Sequence, residues 1–304
     1  MTIEIFSEKN RFGNCLKLAN SQVEVLVAID YGPRIVSFKR INEENLLYED
    51  TEGLIKNNCM EIESAYGLGK VWYGKGGHRF WIAPEKMPFT YYPDDSPVNY
   101  EIQGKIVRLF QAPQIENGVQ LTMELMLEED TTIKINHIAK NISSIPMEIA
   151  PWALTVMARG GVEIIPRTLR QEEFLPNMSL IIWPYTDLQD DRISFEGDYI
   201  ILKQREFESN TTQKKGKFKI GISNEEGWAG YINKGQLFKK EFVYDSKGSY
   251  PDYGASYETY TDENILEMES LGCLKILGPG EETMHEEIWS IHEVPNMFKK
   301  LGGE

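Results

Sequence analysis

The chain predicts an all-β fold, a large sandwich or barrel. Short runs of alternating apolar and polar residues recur almost from end to end, turn residues bound them, and a sustained 3.6-residue period is nearly absent. Alternation marks strands with one buried face, because successive side chains point to opposite sides of a sheet.

In chain order the runs are Val23–Ile29, Arg34–Lys39, Lys105–Phe110, Val119–Leu127, Thr131–His137, Met147–Val156, Phe218–Ile222 and Gln236–Tyr244. Glu116-Asn-Gly, Asn224-Glu-Glu-Gly and Asp245-Ser-Lys-Gly supply turns between runs. The Gly-Pro-Gly turn after Leu277 leads into a last strand on which His285, Glu287 and Trp289 share a face. The clearest helical segment is Asn296–Leu301, after Pro295. About fifteen strands or more with almost no helix fit a sandwich or barrel. No repeat of about 40 to 50 residues is present, which excludes a propeller. No linker rich in Pro, Ser or Gly divides residues 1–304, so they read as one domain, with Ser209–Lys217 as a hairpin tip.

Apolar residues make up 41% and charged residues 26%, the balance of a soluble globular protein. The net charge of −15 argues against nucleic-acid and anionic-membrane partners, which need a basic footprint. Three dispersed cysteines, no basic-then-apolar start and no run approaching 18 apolar residues make a cytoplasmic location the expectation. There is no GxGxxG opening a helix, no P-loop and no GxSxG elbow. His285-Glu-Glu-Ile-Trp departs from HExxH at its last position. Neither a cofactor nor a metal is expected, and chemistry falls to carboxylates, histidines, Arg and Tyr.

Three segments carry such groups. In Ile265-Leu-Glu-Met-Glu-Ser-Leu-Gly, Glu267 and Glu269 point one way and Leu266 and Met268 the other. Glu258 and Tyr260 repeat the spacing one strand earlier. Such a face suits a sugar, since carboxylates accept from hydroxyls and aromatic rings cover C–H faces; it equally suits a solvated edge strand. In Gly74-Lys-Gly-Gly-His-Arg-Phe-Trp-Ile-Ala-Pro-Glu85, glycines permit a tight turn before a strand. There His78 and Phe80 share one face, Arg79 and Trp81 the other. Arg79 beside Trp81 suits a ligand clamp or a core Trp with a snorkelling Arg. In Ile149-Ala-Pro-Trp-Ala-Leu-Thr155, Trp152 is a cavity wall or core, and His137 reads as a hydrogen-bonded structural residue. Arg79, Trp81, Glu258, Glu267 and Glu269 are expected to converge on one cavity with Trp152 nearby.

The ordered set Tyr31-Gly-Pro-Arg-Ile-Val-Ser-Phe, Gly76-Gly-His-Arg-Phe-Trp-Ile-Ala-Pro-Glu, Ala150-Pro-Trp-Ala-Leu-Thr, Leu266-Glu-Met-Glu-Ser-Leu-Gly and Pro279-Gly-Glu…Trp289 resembles the galactose mutarotase-like superfamily, and within it a DUF4380-type branch. The resemblance spans roughly residues 20 to 292. It implies a β-supersandwich with a concave sugar-binding face and aldose 1-epimerase chemistry. In that chemistry a carboxylate takes the anomeric hydroxyl proton while an acid protonates the ring oxygen. Glu267 falls where such enzymes place their catalytic Glu. Where they carry a catalytic His, this chain has Trp152, which leaves His78 or Arg79 for the acid role, or no mutarotation. Glu267 and His78 are thus the expected catalytic pair, with Arg79, Trp81, Glu85, Trp152, Glu258, Tyr260 and Glu269 as sugar contacts. The alternatives are a binding or sensing protein without turnover, and a sugar-binding domain of the kind associated with lyases or hydrolases.

Overall fold

The computed structural model describes residues 3–170, 173–204 and 216–301. Strands account for 50% and helices for 7%, so the fold is all-β, as the alternating runs require. Among the described residues the strands form two large antiparallel sheets and one small pair.

The first sheet runs in the order Glu4–Asn10, Gly13–Ala19, Val23–Ala28, Arg34–Arg40, His78–Ala83, Met147–Met157, Leu266–Leu271, Tyr257–Thr261, Phe218–Ile222, Leu180–Ile182. Lys275–Leu277 pairs with Met147–Met157 off this path. The second runs Ile193–Glu196, Tyr199–Lys203, Val162–Pro166, Trp228–Asn233, Gln236–Phe242, Glu282–Glu293, Thr132–Asn141, Val119–Leu127, Ile106–Phe110, Asn99–Gln103. Their facing sides share one core, where Val25, Phe38, Phe80 and Met268 of the first sheet join Met123, Ile135, Phe238 and Trp289 of the second. Burying these faces drives the sheets together.

The pleat then decides what the outer face of the first sheet carries. With Leu266 and Met268 in the core, Glu267 and Glu269 must point outward. With Phe80 inside, Arg79 and Trp81 point outward. A second apolar cluster sits on that face, where Ile62, Trp72, Trp81, Trp152, Leu154 and Leu271 pack under the connection between the Arg34–Arg40 and His78–Ala83 strands.

That connection contains the helix Met60–Tyr66, which sequence periodicity does not reveal. Its seven residues bury only Ile62, too little for an amphipathic pattern. The tail Asn296–Leu301 is a 3-10 helix. Residues 209–215 of the expected hairpin tip lie outside the described residues. No described helix is long and apolar enough to cross a membrane.

Candidate functional site

Gly76 and Gly77 start the strand that carries Arg79. Both have positive φ, +69° and +63°, and a Cβ at either would meet a backbone oxygen, of Tyr48 at 2.2 Å or of Ile35 at 2.3 Å. Only glycine lets the chain turn this close to its neighbours. Register does the rest. Arg79 pairs with Leu154, Leu154 with Glu269, and Glu269 with Glu258 across four adjacent strands. One row over, Glu267 faces Tyr260 and Tyr260 faces Lys219.

These strands floor a cavity of about 520 Å³, within the roughly 300–1,000 Å³ of small-molecule sites. Arg79, Trp81, Glu85, Trp152, Tyr260, Glu267 and Glu269, picked out from the sequence, all line it. So do Trp72, Trp183, Tyr91, Tyr185 and Lys219, which were not. Lys219 was legible in principle, since Phe218, Ile220 and Ile222 enter the core and turn it outward. Trp183 follows a three-residue edge strand with no clear alternation, and Gly221 makes room for it: a Cβ there would lie 3.3 Å from its ring.

Two cations are each held between indoles and carboxylates. The Arg79 guanidinium lies 4.3 Å from the Trp81 ring centroid and 5.5 Å from that of Trp72, and it donates to Glu267 Oε1 at 2.9 Å. Lys219 Nζ lies 4.9 Å from the rings of both Trp152 and Trp183. It is 2.7 Å from Glu258 Oε2 and 2.9 Å from Glu269 Oε2, which also accepts from Trp152 Nε1 at 2.9 Å. Burial acts to depress the Lys219 ammonium, but the two carboxylates outweigh it and its pKa is raised. Burial raises Glu258 and Glu269, against the pull of Lys219. Glu258 is brought to the site but lies behind Lys219, off the cavity surface. At the rim, Tyr91 donates its hydroxyl to Glu85 at 2.6 Å. Three buried polar atoms on lining residues have no protein partner: Glu269 Oε1, Arg79 Nε and Trp72 Nε1.

Glu258 is thus no sugar contact, and His78 is a second exception, whose expected role as acid is corrected. It is fully buried on the inner face of its strand, away from the cavity. Its Nε2 is 2.8 Å from His137 Nε2, and its Nδ1 is 2.9 Å from Thr155 Oγ1. His137 Nδ1 donates to the His285 carbonyl at 3.1 Å. The hydrogen-bond pattern then assigns a proton to His78 Nε2 and leaves its Nδ1 to accept from Thr155. Both rings are neutral, and burial holds their pKa values down, His137 at about 3. Nearby, Ser270 links His285 Nε2 to Glu287 Oε1, Trp289 Nε1 donates to Glu287 Oε2, and Lys240 Nζ lies 2.8 Å from Glu287 Oε1. The ligand atoms of His78, His137 and Glu287 lie within 4.8 Å of one another. Their lone pairs are already taken by a shared proton and by the Lys240 ammonium, so this donor set does not fit a divalent cation.

A larger hollow of about 730 Å³ on the first sheet's outer face is lined by charges already paired, including Lys39–Glu24, Arg11–Glu49 and Lys234–Glu44. The aromatic cavity, with its unpartnered polar atoms, is the better ligand site by chemistry.

No protein-family model and no curated protein matches the chain. Solved structures do. A galactose mutarotase-like protein from Lactobacillus casei is 10% identical, with 91% of this chain aligned to 100% of that one at a TM-score of 0.59. An aldose epimerase homologue from C. elegans is 10% identical over 97% of this chain and 100% of that one, TM-score 0.55. A TPR-domain containing protein from Parabacteroides distasonis is 15% identical over 93% of this chain, TM-score 0.59; the chain spans only 47% of that protein's length. These likenesses show the galactose mutarotase-like sandwich fold.

Proposed function

We propose that the protein binds a monosaccharide or a derivative of one in the aromatic cavity and interconverts its anomers, with Glu267 as general base. The observation that carries this reading is the union of two carboxylates, Glu267 and Glu269, with four indoles in one cavity. Indoles cover the apolar faces of a sugar ring, while carboxylates and guanidinium bond its hydroxyls. Glu269 Oε1, Arg79 Nε and Trp72 Nε1, buried on residues of that lining, have no protein partner. Arg79 keeps Glu267 in place while its carboxylate edge lines the cavity. The ordered motifs support the same reading at the level of the superfamily and of its DUF4380-type branch, and the fold neighbours include an aldose epimerase homologue.

One observation favours a second reading, a binding or sensing protein without turnover: among the described residues no histidine lines this cavity. Sugar binding is common to both readings. Saturation-transfer NMR across a panel of aldoses, amino sugars and sugar phosphates tests it. Transfer to ring protons that is lost in Trp81→Ala supports the site; no transfer from any member of the panel overturns it.

A further inference from the structure

We propose that Glu269 is the general acid opposite Glu267, delivering a proton that the Glu258–Lys219–Glu269 cluster stores; this rests on the anomer-interconversion reading above. The cluster contains two carboxyl groups and one ammonium. Glu258 and Glu269 are each 1% exposed and Lys219 is 5% exposed. Fully ionised, the cluster would bury one uncompensated negative charge, which is costly. The two carboxyls also face each other directly across adjacent strands, the arrangement in which like charges repel most. Retaining one proton removes both penalties. The proton belongs to the pair, as in other closely coupled carboxyls.

The hydrogen bonds say where the proton becomes usable. Glu269 Oε2 already accepts from Trp152 and Lys219. A proton on Glu269 therefore occupies Oε1, which like Glu258 Oε1 has no hydrogen-bond partner; of the two side chains, only that of Glu269 lines the cavity. Glu258 stands behind Lys219 and serves as the reserve. The charged and titratable groups around the cluster are Arg79 and Glu267 on its flank, Asp252 near Glu258, Tyr185 across the cavity, and Lys240 and Glu163 from the second sheet. Arg79 and Glu267 cancel as a pair, and so do Lys240 and Glu287, so neither pair replaces the missing positive charge.

Glu267 and Glu269 are two residues apart on one strand, with Cβ atoms roughly 6.5–7 Å apart and side chains parallel. Such a pair does not flank a bond from two sides. It fits instead a hemiacetal O–C–O unit approached from one side, with a hydrogen bond of about 2.7 Å at each end. The Glu267 carboxylate takes the proton of the anomeric hydroxyl as the carbonyl forms and the bond from C1 to the ring oxygen breaks. The ring oxygen keeps that electron pair and takes the Glu269 proton. Closure on the other face of C1 reverses both transfers, so each carboxyl recovers its starting state.

Two measurements test this. In a Glu163→Gln background, which removes the other carboxyl that burial keeps protonated near neutral pH, infrared difference spectroscopy at pH 7 should show the C=O stretch of a protonated carboxylic acid. It should be lost in both Glu258→Gln and Glu269→Gln, because either variant leaves one carboxylate matched to Lys219. Anomer exchange followed by NMR should fall by about a hundredfold or more in Glu269→Gln, with sugar affinity kept within a few-fold. Glu258→Gln should show a similar loss at pH 7 and recover activity at lower pH, where Glu269 regains a proton. A Glu163→Gln protein without the acid band overturns the stored proton, whether or not the further variants fold. Glu269→Gln with wild-type exchange overturns the acid assignment and leaves the anomer reading standing. A wild type that binds sugar without accelerating exchange overturns both.

Discussion

Arg79 donates to Glu267 at 2.9 Å across 188 residues of sequence, from a strand that is not its neighbour. The Met147–Met157 strand lies between theirs, and the guanidinium reaches over it at Leu154. The Arg79 and Glu267 side chains are only 5% and 10% exposed. Removing the cation leaves a nearly buried carboxylate unpaired. Arg79→Met should therefore destabilise the fold by about 3 kcal/mol, the cost of breaking a buried pair on one side. The double variant Arg79→Met/Glu267→Gln should recover part of that loss. Urea unfolding measures both; a single variant as stable as wild type would show the pair to be solvated.

Four of the chain's six tryptophans line the cavity. A bound sugar should change intrinsic fluorescence strongly and saturably. Trp81→Ala, which removes the ring packed against Arg79 and Trp152, should weaken binding roughly tenfold, or ~1.4 kcal/mol. A sugar that binds by NMR but leaves fluorescence unchanged places the site elsewhere.

The core histidines predict a response to acid. Burial lowers His137 and His285 from 6.5 to about 3. Between those values the unfolded chain takes up protons that the folded chain does not, so stability falls as pH falls from about 6.5 towards 3. The slope is about 1.4 kcal/mol per pH unit for each ring. Urea midpoints measured from pH 7 to pH 4 check the slope, and NMR should show neither ring titrating between pH 8 and 5. A core ring that titrates near 6.5 would contradict the network.

Glu163 predicts the opposite trend. It is fully buried, accepts from Tyr257 and Thr259 at 2.5 and 2.6 Å, and burial raises it to about 8. The folded state holds this proton more tightly than the unfolded one, so its contribution is present below about pH 4.5 and is lost as pH rises to about 8. Glu163→Gln keeps the uncharged shape and removes that loss. Thermal unfolding at pH 5 and pH 9 should show the balance between variant and wild type moving towards the variant at the higher pH. An unchanged difference would mean that Glu163 ionises normally.

Much of the site was legible from the pleat. Alternation in Leu266–Leu271 is enough to put Glu267 and Glu269 on one face, and alternation in His78–Ala83 puts Arg79 and Trp81 together. The same rule places His78 on the face opposite Arg79, and the core position of His78 follows it; the proposed acid role did not. Strand order was not legible. Nothing local says that the Phe218–Ile222 strand lies beside Tyr257–Thr261, so the sequence does not reveal Lys219 as the cation between Glu258 and Glu269. Trp72 comes from a two-residue strand, Tyr91 from a 3-10 turn, and Trp183 and Tyr185 from a connecting segment, where no periodicity announces which way a ring will turn.

The central claim is that Glu267 acts as a base on a sugar's anomeric hydroxyl, and exchange NMR of α/β interconversion tests it most directly. Wild-type protein should accelerate interconversion of at least one aldose or aldose derivative. Glu267→Gln, which keeps the side chain's shape and removes its basicity, should lower the enzymatic rate by about a hundredfold or more while the sugar still binds. A wild-type protein that binds the sugar and leaves the interconversion rate at its uncatalysed value, or a Glu267→Gln variant with full activity, would contradict the claim.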